Sequence, residues 1–275
     1  MQLEITKLLI YPIKSLAGIA LDEAKVERKG LAHDRRWMLV DNDHGHITQR
    51  THPVMALLQP AIEGGRMTIT HKQKPEVQFS FGLEEVVNEL LTVTVWGDTC
   101  EAYEVSAEAS AWFTKQLGSA CKLVKMPEEF VRPTDPDFSA TADDKVSFAD
   151  GYPLLIFDEA SVALIREKSG AAIYEDRFRG NIIFKGGHAH IEDELKRFSI
   201  NHLDFYGSKP CTRCVLTTVN QDTAEKGKEP LKTLATYRLI DNKIKFGQNV
   251  IPLNEGTIQV GDHIIVKETT EPIRF

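Results

Sequence analysis

The sequence is poor in cysteine and has no long apolar run and no long basic run, and each absence excludes a class of protein. Four cysteines among 275 residues show no dense spacing, which argues against a disulfide-stapled secreted scaffold. No apolar stretch approaches the roughly 20 residues of a membrane helix. The first residues, MQLEITKLLIYPIKS, lack the basic start, apolar core and cleavage site of a signal peptide. We therefore expect a cytoplasmic protein without a membrane partner.

The charge balance excludes a second class of function. Lysine and arginine total 33 and aspartate and glutamate total 40, so the formal net charge is -7. Without a basic run, bulk electrostatics predict no nucleic-acid partner, although positive pockets can exist inside an acidic protein. The content of 42% hydrophobic and 27% charged residues is typical of a globular chain. The length allows one large domain or two modest ones.

The hydrophobic pattern predicts a mainly β fold with some helix, of the α+β class. Short strands with turn signals between them dominate the first hundred residues and favour a barrel or a sandwich. The strands are predicted at 3–11, 19–26, 37–40, 46–49, 67–70 and 91–96. A helix over 107–117 is predicted from its apolar face, with Ser106 as its amino-terminal cap and Gly118 at its end.

The second half of the chain mixes strands, helices and one long loop. Residues 126–144 are rich in Pro, Asp and Thr and predict a loop that acts as a lid or connection. Strands are predicted at 154–157, 181–184 and 215–219, and a hairpin at 256–268. Helices are predicted from the Asp158 cap to about residue 168 and over 230–237.

The segment KPCTRCVLTTV, residues 209–219, contains two of the four cysteines and admits several interpretations. Structural zinc usually needs four Cys or His ligands, often as two such pairs, and this chain has one pair. A thioredoxin-like pair needs a following helix where we predict a strand. A pair of small buried core residues is the plainest interpretation. However, the cations Lys209 and Arg213 flank the thiols, favour thiolate, and call for an anionic partner. A metal cofactor that carries a phosphate is one ligand that satisfies both features.

Two other segments of the amino-terminal region are suited to anions, and each also has a plainer interpretation. Lys14 and Ser15 follow a strand on a turn, where an ammonium, a hydroxyl and free backbone N–H groups suit phosphate. The alternative is a solvated turn lysine. Arg35 and Arg36 open the next strand and should point to opposite faces, or else form a surface ion pair with Asp34.

The carboxy-terminal half supplies three further candidates. Arg179 precedes a predicted strand and can clamp an anion, and Asn181 beside it offers both donors and an acceptor. Asp150 lies just before another strand, where its carboxylate can act as an acid or base or orient an arginine. The plainer interpretations are a strand-edge arginine and a turn cap. Scattered basic positions and one thiol fit a single deep pocket better than a linear motif.

Six segments in order resemble MOSC-domain proteins, named for the carboxy-terminal domain of molybdenum cofactor sulfurase. They are YPIKSLAG, HDRRWMLVD, SFADGYPLL, FRGNI, KPCTRCVLTTV and GTIQVGD. The resemblance is closest to the YcbX-type branch, related to the mitochondrial amidoxime-reducing component. It implies an amino-terminal β-barrel domain over residues 1–120, packed on a mixed-barrel MOSC domain over residues 121–270. It also implies that the molybdenum cofactor, a molybdopterin, binds between the two domains.

The resemblance implies roles for individual residues. Cys214 matches the cysteine that ligates molybdenum, and Cys211 matches a cysteine that does not. Asp150 matches an acidic residue near the metal and is our candidate proton relay or cofactor orienter. The positions that match cofactor-contacting residues are Lys14, Ser15, Arg35, Arg179, Asn181 and Arg213. Relatives vary at Gly151 and Tyr152, so no contact is assigned to those two positions.

The implied activity is reduction of N-hydroxylated compounds such as hydroxylamines, amidoximes and N-hydroxylated bases, with loss of the oxygen as water. We expect no iron–sulfur cluster within this chain, because no cysteine follows Cys214, and no dependence on pyridoxal phosphate. The partners expected are a small-molecule substrate and a separate electron donor, a ferredoxin or a flavoprotein reductase. The alternative is a non-catalytic carrier in which Cys214 handles sulfur or holds the cofactor in transit.

Overall fold

A computed structural model describes residues 2–87 and 89–271, and strands form most of its regular structure. In the amino-terminal half the strands are β1 (Leu3–Ile10), β2 (Ile19–Leu21), β3 (Glu23–Glu27), β4 (Gly30–Leu31), β5 (Trp37–Val40), β6 (Leu58–Glu63), β7 (Arg66–His71), β8 (Lys74–Gly82), β9 (Leu90–Val95), β10 (Asp98–Glu104) and β11 (Lys122–Lys125). A single α-helix, α1 (Ala107–Leu117), lies in this half of the described chain.

The carboxy-terminal half continues the pattern of short strands. They are β12 (Arg132–Pro133), β13 (Lys145–Val146), β14 (Leu154–Asp158), β15 (Ile182–Lys185), β16 (Leu195–Ile200), β17 (Leu203–Thr212), β18 (Leu239–Ile240), β19 (Lys243–Pro252), β20 (Gly256–Gln259) and β21 (His263–Thr269). The helices are α2 (Glu159–Ser169) and α3 (Leu231–Leu234). Short 3₁₀ helices lie at Pro53–Leu57, Pro136–Phe138, Glu175–Phe178, Ile191–Glu194 and Val215–Thr218.

A closed mixed barrel forms the larger part of the fold. Its strands follow the order β14-β15-β1-β21-β16-β17-β19, and β19 pairs with β14 to close the ring. The β14–β15 pair is parallel and the other pairs are antiparallel. Apolar side chains from every strand of the ring fill its interior, so closure also buries the hydrophobic face that each strand presents. This mixed barrel matches the fold class expected from the sequence.

The first strand of the chain completes this barrel, although the other strands of the ring come from the carboxy-terminal half. β1 pairs with β15 on one side and with β21 on the other. The predicted division into 1–120 and 121–270 stays a prediction, and β1 of the first unit lies in the barrel of the second. β1 ends at Ile10, so the turn that follows lies directly at the rim of the barrel.

The amino-terminal half forms its own smaller β unit beside that rim. A half-barrel sheet has the order β5-β11-β10-β9, and a separate meander joins β6, β7 and β8. α1 packs with these strands around Trp37, Phe81 and Phe113, which are all buried. The predicted helix 107–117 is confirmed: Ser106 Oγ accepts a hydrogen bond from the amide of Ala109, and Gly118 ends the helix with φ 69°.

Three local predictions are wrong. Residues 215–218 form a 3₁₀ helix and not a strand, because the hydroxyls of Thr217 and Thr218 bond back to the carbonyls of Cys214 and Val215 and stabilise a turn. The predicted hairpin at 256–268 does not form, since β20 pairs with β3 whereas β21 pairs with β1 and β16. The predicted strand 46–49 is reduced to one bridge, between Val40 and His46.

Other predictions hold with shifted ends. α2 begins after its Asp158 cap and runs to Ser169, whereas the helix expected over 230–237 is reduced to the four residues of α3. The segment 126–144 is mainly loop, as expected, with β12 and one 3₁₀ turn inside it. Across residues 2–87 and 89–271, no helix combines the length and the apolar character needed to cross a membrane.

Candidate functional site

One cavity opens between the rim of the mixed barrel and the amino-terminal unit. It encloses about 710 Å³ of non-protein space, part of it open to solvent. All the site residues predicted from the sequence line this cavity: Lys14, Ser15, Arg35, Asp150, Arg179, Asn181, Arg213 and Cys214. The structure therefore brings together, at one place, residues that lie up to 200 positions apart in the chain.

Lys14 reaches the cavity from the turn that follows β1. Its ammonium donates to the carbonyl of Phe148 at 2.8 Å and to Asp150 Oδ1 at 2.5 Å. The Lys14 side chain is 6% exposed, so the interpretation as a solvated turn lysine is wrong. Burial lowers the pKa of Lys14, and the contact with Asp150 offsets part of that effect. Ser15 beside it holds a left-handed backbone with φ 68°, which turns the chain into the cavity wall.

The paired arginines point in opposite directions, as predicted. Arg35 donates to Asp34 Oδ2 at 2.6 Å and to Asn181 Oδ1 at 3.1 Å on the cavity side, whereas Arg36 donates to Glu27 at 2.8 Å. Asp34 is completely buried, so the Arg35–Asp34 pair is an internal ion pair and not a surface one. A buried pair of this kind fixes the guanidinium in place, because either partner alone would be a desolvated charge.

Arg179 lies next to Arg35 across the ring of Tyr11. The guanidinium carbons lie 4.1 Å and 4.5 Å from the ring centroid, for Arg179 and Arg35 respectively. Arg179 donates to the carbonyl of Leu16 at 2.6 Å, but its second terminal nitrogen is buried without a partner. Burial, followed by repulsion from Arg35, lowers the pKa of Arg179 to about 10. A guanidinium in this state is stabilised by any anion that enters the cavity.

The side chain of Asn181 links β1 and β14 of the barrel by hydrogen bonds and lies beside Arg35. Its amide nitrogen donates to the carbonyl of Leu9 at 3.1 Å, and its oxygen accepts from the amide of Leu155 at 3.1 Å. The same oxygen accepts from Arg35. Most of its hydrogen-bonding capacity is thus used within the protein, and its predicted contact with a cofactor stays a prediction.

The two thiols differ in their surroundings. Cys214 precedes the 3₁₀ helix Val215–Thr218, and its sulfur accepts no hydrogen bond from the described part of the chain. Cys211 Sγ lies 3.0 Å from a terminal nitrogen of Arg213. Arg213 also donates to the carbonyl of Phe178 at 2.7 Å, and its Nε is buried without a partner.

The expectation that both flanking cations face the thiols is wrong for Lys209. Its ammonium pairs with Asp135 at 3.1 Å and lies 3.7 Å from the centre of the Phe138 ring. The backbone alternation along β17 sends this side chain toward the loop 132–139 and away from the cavity. Of the two flanking cations, Arg213 is therefore the one that lies beside the cysteines.

Asp150 faces the cavity with one carboxylate oxygen fixed. Oδ1 accepts from Lys14 and, at 3.1 Å, from the indole nitrogen of Trp96. The Asp150 side chain is 70% exposed to the space around it. Partial desolvation raises the pKa of Asp150, but Lys14 and the Trp96 hydrogen bond outweigh it and hold the pKa below its usual range. Asp150 is therefore a carboxylate at neutral pH.

Several residues that shape the site were not singled out from the sequence. Tyr11 separates the two guanidiniums, and Arg132 donates to the carbonyls of Ser147, Ala149 and Asp150, which fixes the segment that carries Asp150. Trp96 enters the sequence analysis only as the last residue of the predicted strand 91–96. Tyr11 opens YPIKSLAG, the first of the six family-like segments, and this position was a usable signal. Nothing local links Trp96 to Asp150, which is 54 positions away.

The donor set of the cavity does not suit a bare metal ion. In the described ranges 2–87 and 89–271, no group of three or more His, Cys, Asp and Glu side chains is placed to hold one. Two half-buried thiols line the cavity, and of the two only the Cys214 sulfur forms no hydrogen bond in the described residues. Together with two guanidiniums that have unpartnered buried nitrogens, they fit a cofactor that brings its own metal ligands and an anionic group. The residues present thus fit a molybdenum cofactor.

Comparisons with known proteins agree with this assignment. Residues 2–120 match the MOSC N-terminal beta barrel domain and residues 143–265 match the MOSC domain. The chain is 30% identical over 277 residues to mitochondrial amidoxime-reducing component 1 of Mus musculus, covering 94% of this chain and 81% of that protein. For the Homo sapiens protein of the same name the identity is 28%, with 94% and 82% covered.

A second kind of relative shares the same region. The molybdenum cofactor sulfurase of Danio rerio is 25% identical over 293 residues, which cover 98% of this chain but 35% of that protein. The chain therefore belongs to the MOSC-domain proteins, with a MOSC N-terminal beta barrel domain followed by a MOSC domain, and is related to the mitochondrial amidoxime-reducing components.

Proposed function

We propose that this protein reduces N-hydroxylated compounds with a molybdenum cofactor bound in the cavity. The observation that carries the proposal is the convergence of one thiol, Cys214, with buried guanidinium nitrogens of Arg179 and Arg213 that have no partner in the described chain. The relationship to amidoxime-reducing components supports the reaction class, and the thiol and cations support the cofactor class.

Different residues of the cavity would bind the metal and the anionic group of the cofactor. Cys214 would supply a thiolate to molybdenum, a metal that takes soft sulfur ligands readily. Arg179 and Arg213 would bind the anionic group through their free nitrogens, and Lys14 and Ser15 would add donors from the turn after β1. Arg35 and Asn181, whose hydrogen bonds are largely satisfied within the protein, would hold this wall in shape.

When bound, the molybdenum cofactor would supply the two-electron oxygen-atom-transfer chemistry. Overall, an N-hydroxylated compound takes up two electrons and two protons and yields the N–H compound and water. The chain itself offers a proton at Lys14 Nζ, held 2.5 Å from the ionised Asp150. Asp150 would orient this ammonium and accept hydrogen bonds from substrate at its second oxygen. A low pKa makes Asp150 itself a poor proton donor at neutral pH, so the proton relay runs through the pair.

Electrons would come from a separate protein, a ferredoxin or flavoprotein reductase, in the compartment that the sequence predicts to be the cytoplasm. The test is turnover of benzhydroxylamine and benzamidoxime by the molybdenum-loaded protein with a reduced viologen dye. The proposal expects turnover with wild type and with Cys211→Ser, and none with Cys214→Ser. Absence of turnover in a fully loaded wild-type protein contradicts it.

Asp150→Asn tests the role of the carboxylate separately. The variant keeps the size of the side chain but removes the charge that orients Lys14. We expect a loss of turnover, of cofactor, or of both. If both quantities match the wild type, the proposed role of Asp150 is wrong.

A second candidate is a carrier of cofactor or sulfur. Its support is the relationship to a molybdenum cofactor sulfurase, together with the half-buried residue Cys214, whose sulfur forms no hydrogen bond in the described chain. A carrier should show no turnover with the dye, yet should pass its cofactor to a cofactor-free molybdenum enzyme. The two assays on the same preparation separate the candidates.

A further inference from the structure

A second concavity lies on the far side of the turn that begins at Cys214. Leu216 of the 3₁₀ helix Val215–Thr218 lines the candidate cofactor cavity, and Thr218 lines the second concavity. The latter encloses about 840 Å³ of non-protein space, part of it open to solvent. Since a 3₁₀ helix rises about 2 Å per residue, roughly 8 Å of main chain separates Cys214 from this second surface.

The wall of this concavity is attached directly to the turn. The amide of Gly227 donates to the carbonyl of Thr218 at 2.9 Å, and Val219 forms a β-bridge with Lys226. On the other side Arg177 lies 3.5 Å from the carbonyl of Thr217. A protein seated here would therefore contact the same segment that presents the thiol to the cofactor cavity.

The surface is basic although the whole chain is acidic, with a formal net charge of -7. Four cations line it: Arg177, Lys226, Lys228 and Lys232. Two acidic residues, Glu225 and Glu229, also line it, so four positive and two negative charges leave an excess of two positive charges. Lys228 and Lys232 are exposed and form no ion pair within the described residues. We call these four cations and the surface between them the basic face.

The basic face also has an apolar part suited to a protein partner. Ala171, Ala172 and Ile173 lie in the wall of the concavity. Transient protein interfaces combine a small apolar centre with a charged rim that steers association. This arrangement matches that pattern, with positive charges in excess on the rim.

The opposite side of the cofactor cavity has a different character. There a groove of about 1100 Å³, partly open to solvent, continues from Asp150 between the loop 132–139 and β17. Asp98 and Asp135 line it, and the ammonium of Lys209 is paired with Asp135. That groove suits a small substrate and does not attract an acidic protein, so the two sides offer separate access to the same site.

We propose that the basic face docks an acidic one-electron carrier protein, which delivers electrons to the site through the turn at Cys214. This inference rests on the proposed function, since reduction of one N–O bond consumes two electrons. Two reduced carriers would be oxidised in succession, each by one electron, while two protons come from solvent. Charge complementarity supplies the specificity and speeds association at low salt.

The binding test uses the molybdenum-loaded protein and oxidised plant-type [2Fe–2S] ferredoxin, an acidic carrier, in calorimetry at low ionic strength. We expect Lys228→Glu and Lys232→Glu each to weaken binding about threefold to tenfold, since they place like charge opposite an acidic partner. The matched control is Lys115→Glu in α1, an equally exposed lysine outside the basic face, which should bind as wild type. Added salt should weaken binding by the wild type.

The kinetic test separates docking from chemistry. Viologen-driven turnover should be unchanged in both variants, whereas the KM for reduced ferredoxin should rise by the factor found for binding. The docking proposal is overturned if the variants match Lys115→Glu, or if the wild type does not bind ferredoxin at low salt. Failure of viologen-driven turnover in loaded wild type would instead overturn the proposed reductase activity, while the calorimetric comparison would still decide the docking surface.

Discussion

The two walls of the candidate cofactor cavity are built in contrasting ways. On the guanidinium wall, Arg35, Arg179 and Tyr11 interlock with buried Asp34 and with backbone carbonyls, so each group is fixed before any ligand arrives. On the thiol wall, Cys214 lies between the end of β17 and a four-residue 3₁₀ helix, and its sulfur forms no hydrogen bond in the described chain. The rigid wall is suited to holding an anion, and the unengaged thiol is suited to forming a bond.

The largest effect should come from the thiol wall. Cys214→Ser should lower viologen-driven turnover by about 1,000-fold or more, because a serine hydroxyl does not replace a soft thiolate ligand. Cys211→Ser is the matched control, since its sulfur contacts Arg213, and it should lose less than about fivefold. Equal losses in the two variants would contradict the assignment of distinct roles.

The guanidinium wall should show its role in stability. Arg35→Met leaves the fully buried Asp34 carboxylate without its ion pair and should lower the free energy of unfolding by about 3 kcal/mol. Arg36→Met is the neighbouring control, because its partner Glu27 is 26% exposed and can be hydrated. That variant should lose about 1 kcal/mol or less. Urea unfolding followed by circular dichroism measures both, and similar losses would refute the contrast.

Lys14, whose ammonium pairs with Asp150 in the cavity, should control the pH dependence of turnover. Because burial lowers the pKa of Lys14, turnover should fall on the alkaline side below the usual lysine pKa of about 10.4. The low pKa of Asp150 keeps the ion pair complete above about pH 4, and the pair is lost only as the pH falls further. Asp150 should therefore produce no limb between pH 5 and 8.

Two variants test this account of the pH profile. Lys14→Met should lose about 100-fold in turnover, since both the positive charge and the proton are removed. Lys14→Arg keeps its charge to higher pH and should move the alkaline limb upward. An alkaline limb at the same pH in Lys14→Arg would assign that limb to another group.

The smallest effect should come from the tryptophan that fixes Asp150. Trp96→Phe removes the indole donor to Asp150 but keeps an aromatic ring beside Arg50, whose guanidinium lies 4.2 Å from the ring centre. Turnover should fall about threefold, because Lys14 still holds the same oxygen. Trp112→Phe in α1 is the control and should match the wild type. A loss as large as that of Lys14→Met would mean that Trp96 has a further role.

The sequence predicted which residues line the site better than it predicted which strands pair with one another. The eight predicted residues line one cavity, because ordered motifs of a family carry long-range information that local patterns lack. The predicted helix 107–117 was confirmed because its cap, apolar face and terminal glycine all agree. Because all three local signals favour a helix over the same residues, no other local structure competes with it.

The failures have physical causes. At 215–218 the β-branched residues indicated a strand, but the threonine hydroxyls stabilise a turn instead. At 256–268 the alternation was correct for each strand, yet the partners of β20 and β21 lie on different sheets, and pairing across the fold is not written in a local pattern. The Trp96–Asp150 bond was missed for the same reason, since only the folded chain brings these residues together.

The most direct test of the central claim is the amount of molybdenum and pterin per chain. The measurement is metal mass spectrometry with pterin analysis on protein purified from cells that make the cofactor, with Cys214→Ser prepared in parallel. We predict close to one molybdenum and one pterin per wild-type chain, with loss of metal or of turnover in the variant. Wild-type protein without molybdenum would contradict the account, leaving Cys211 and Cys214 as structural or redox residues.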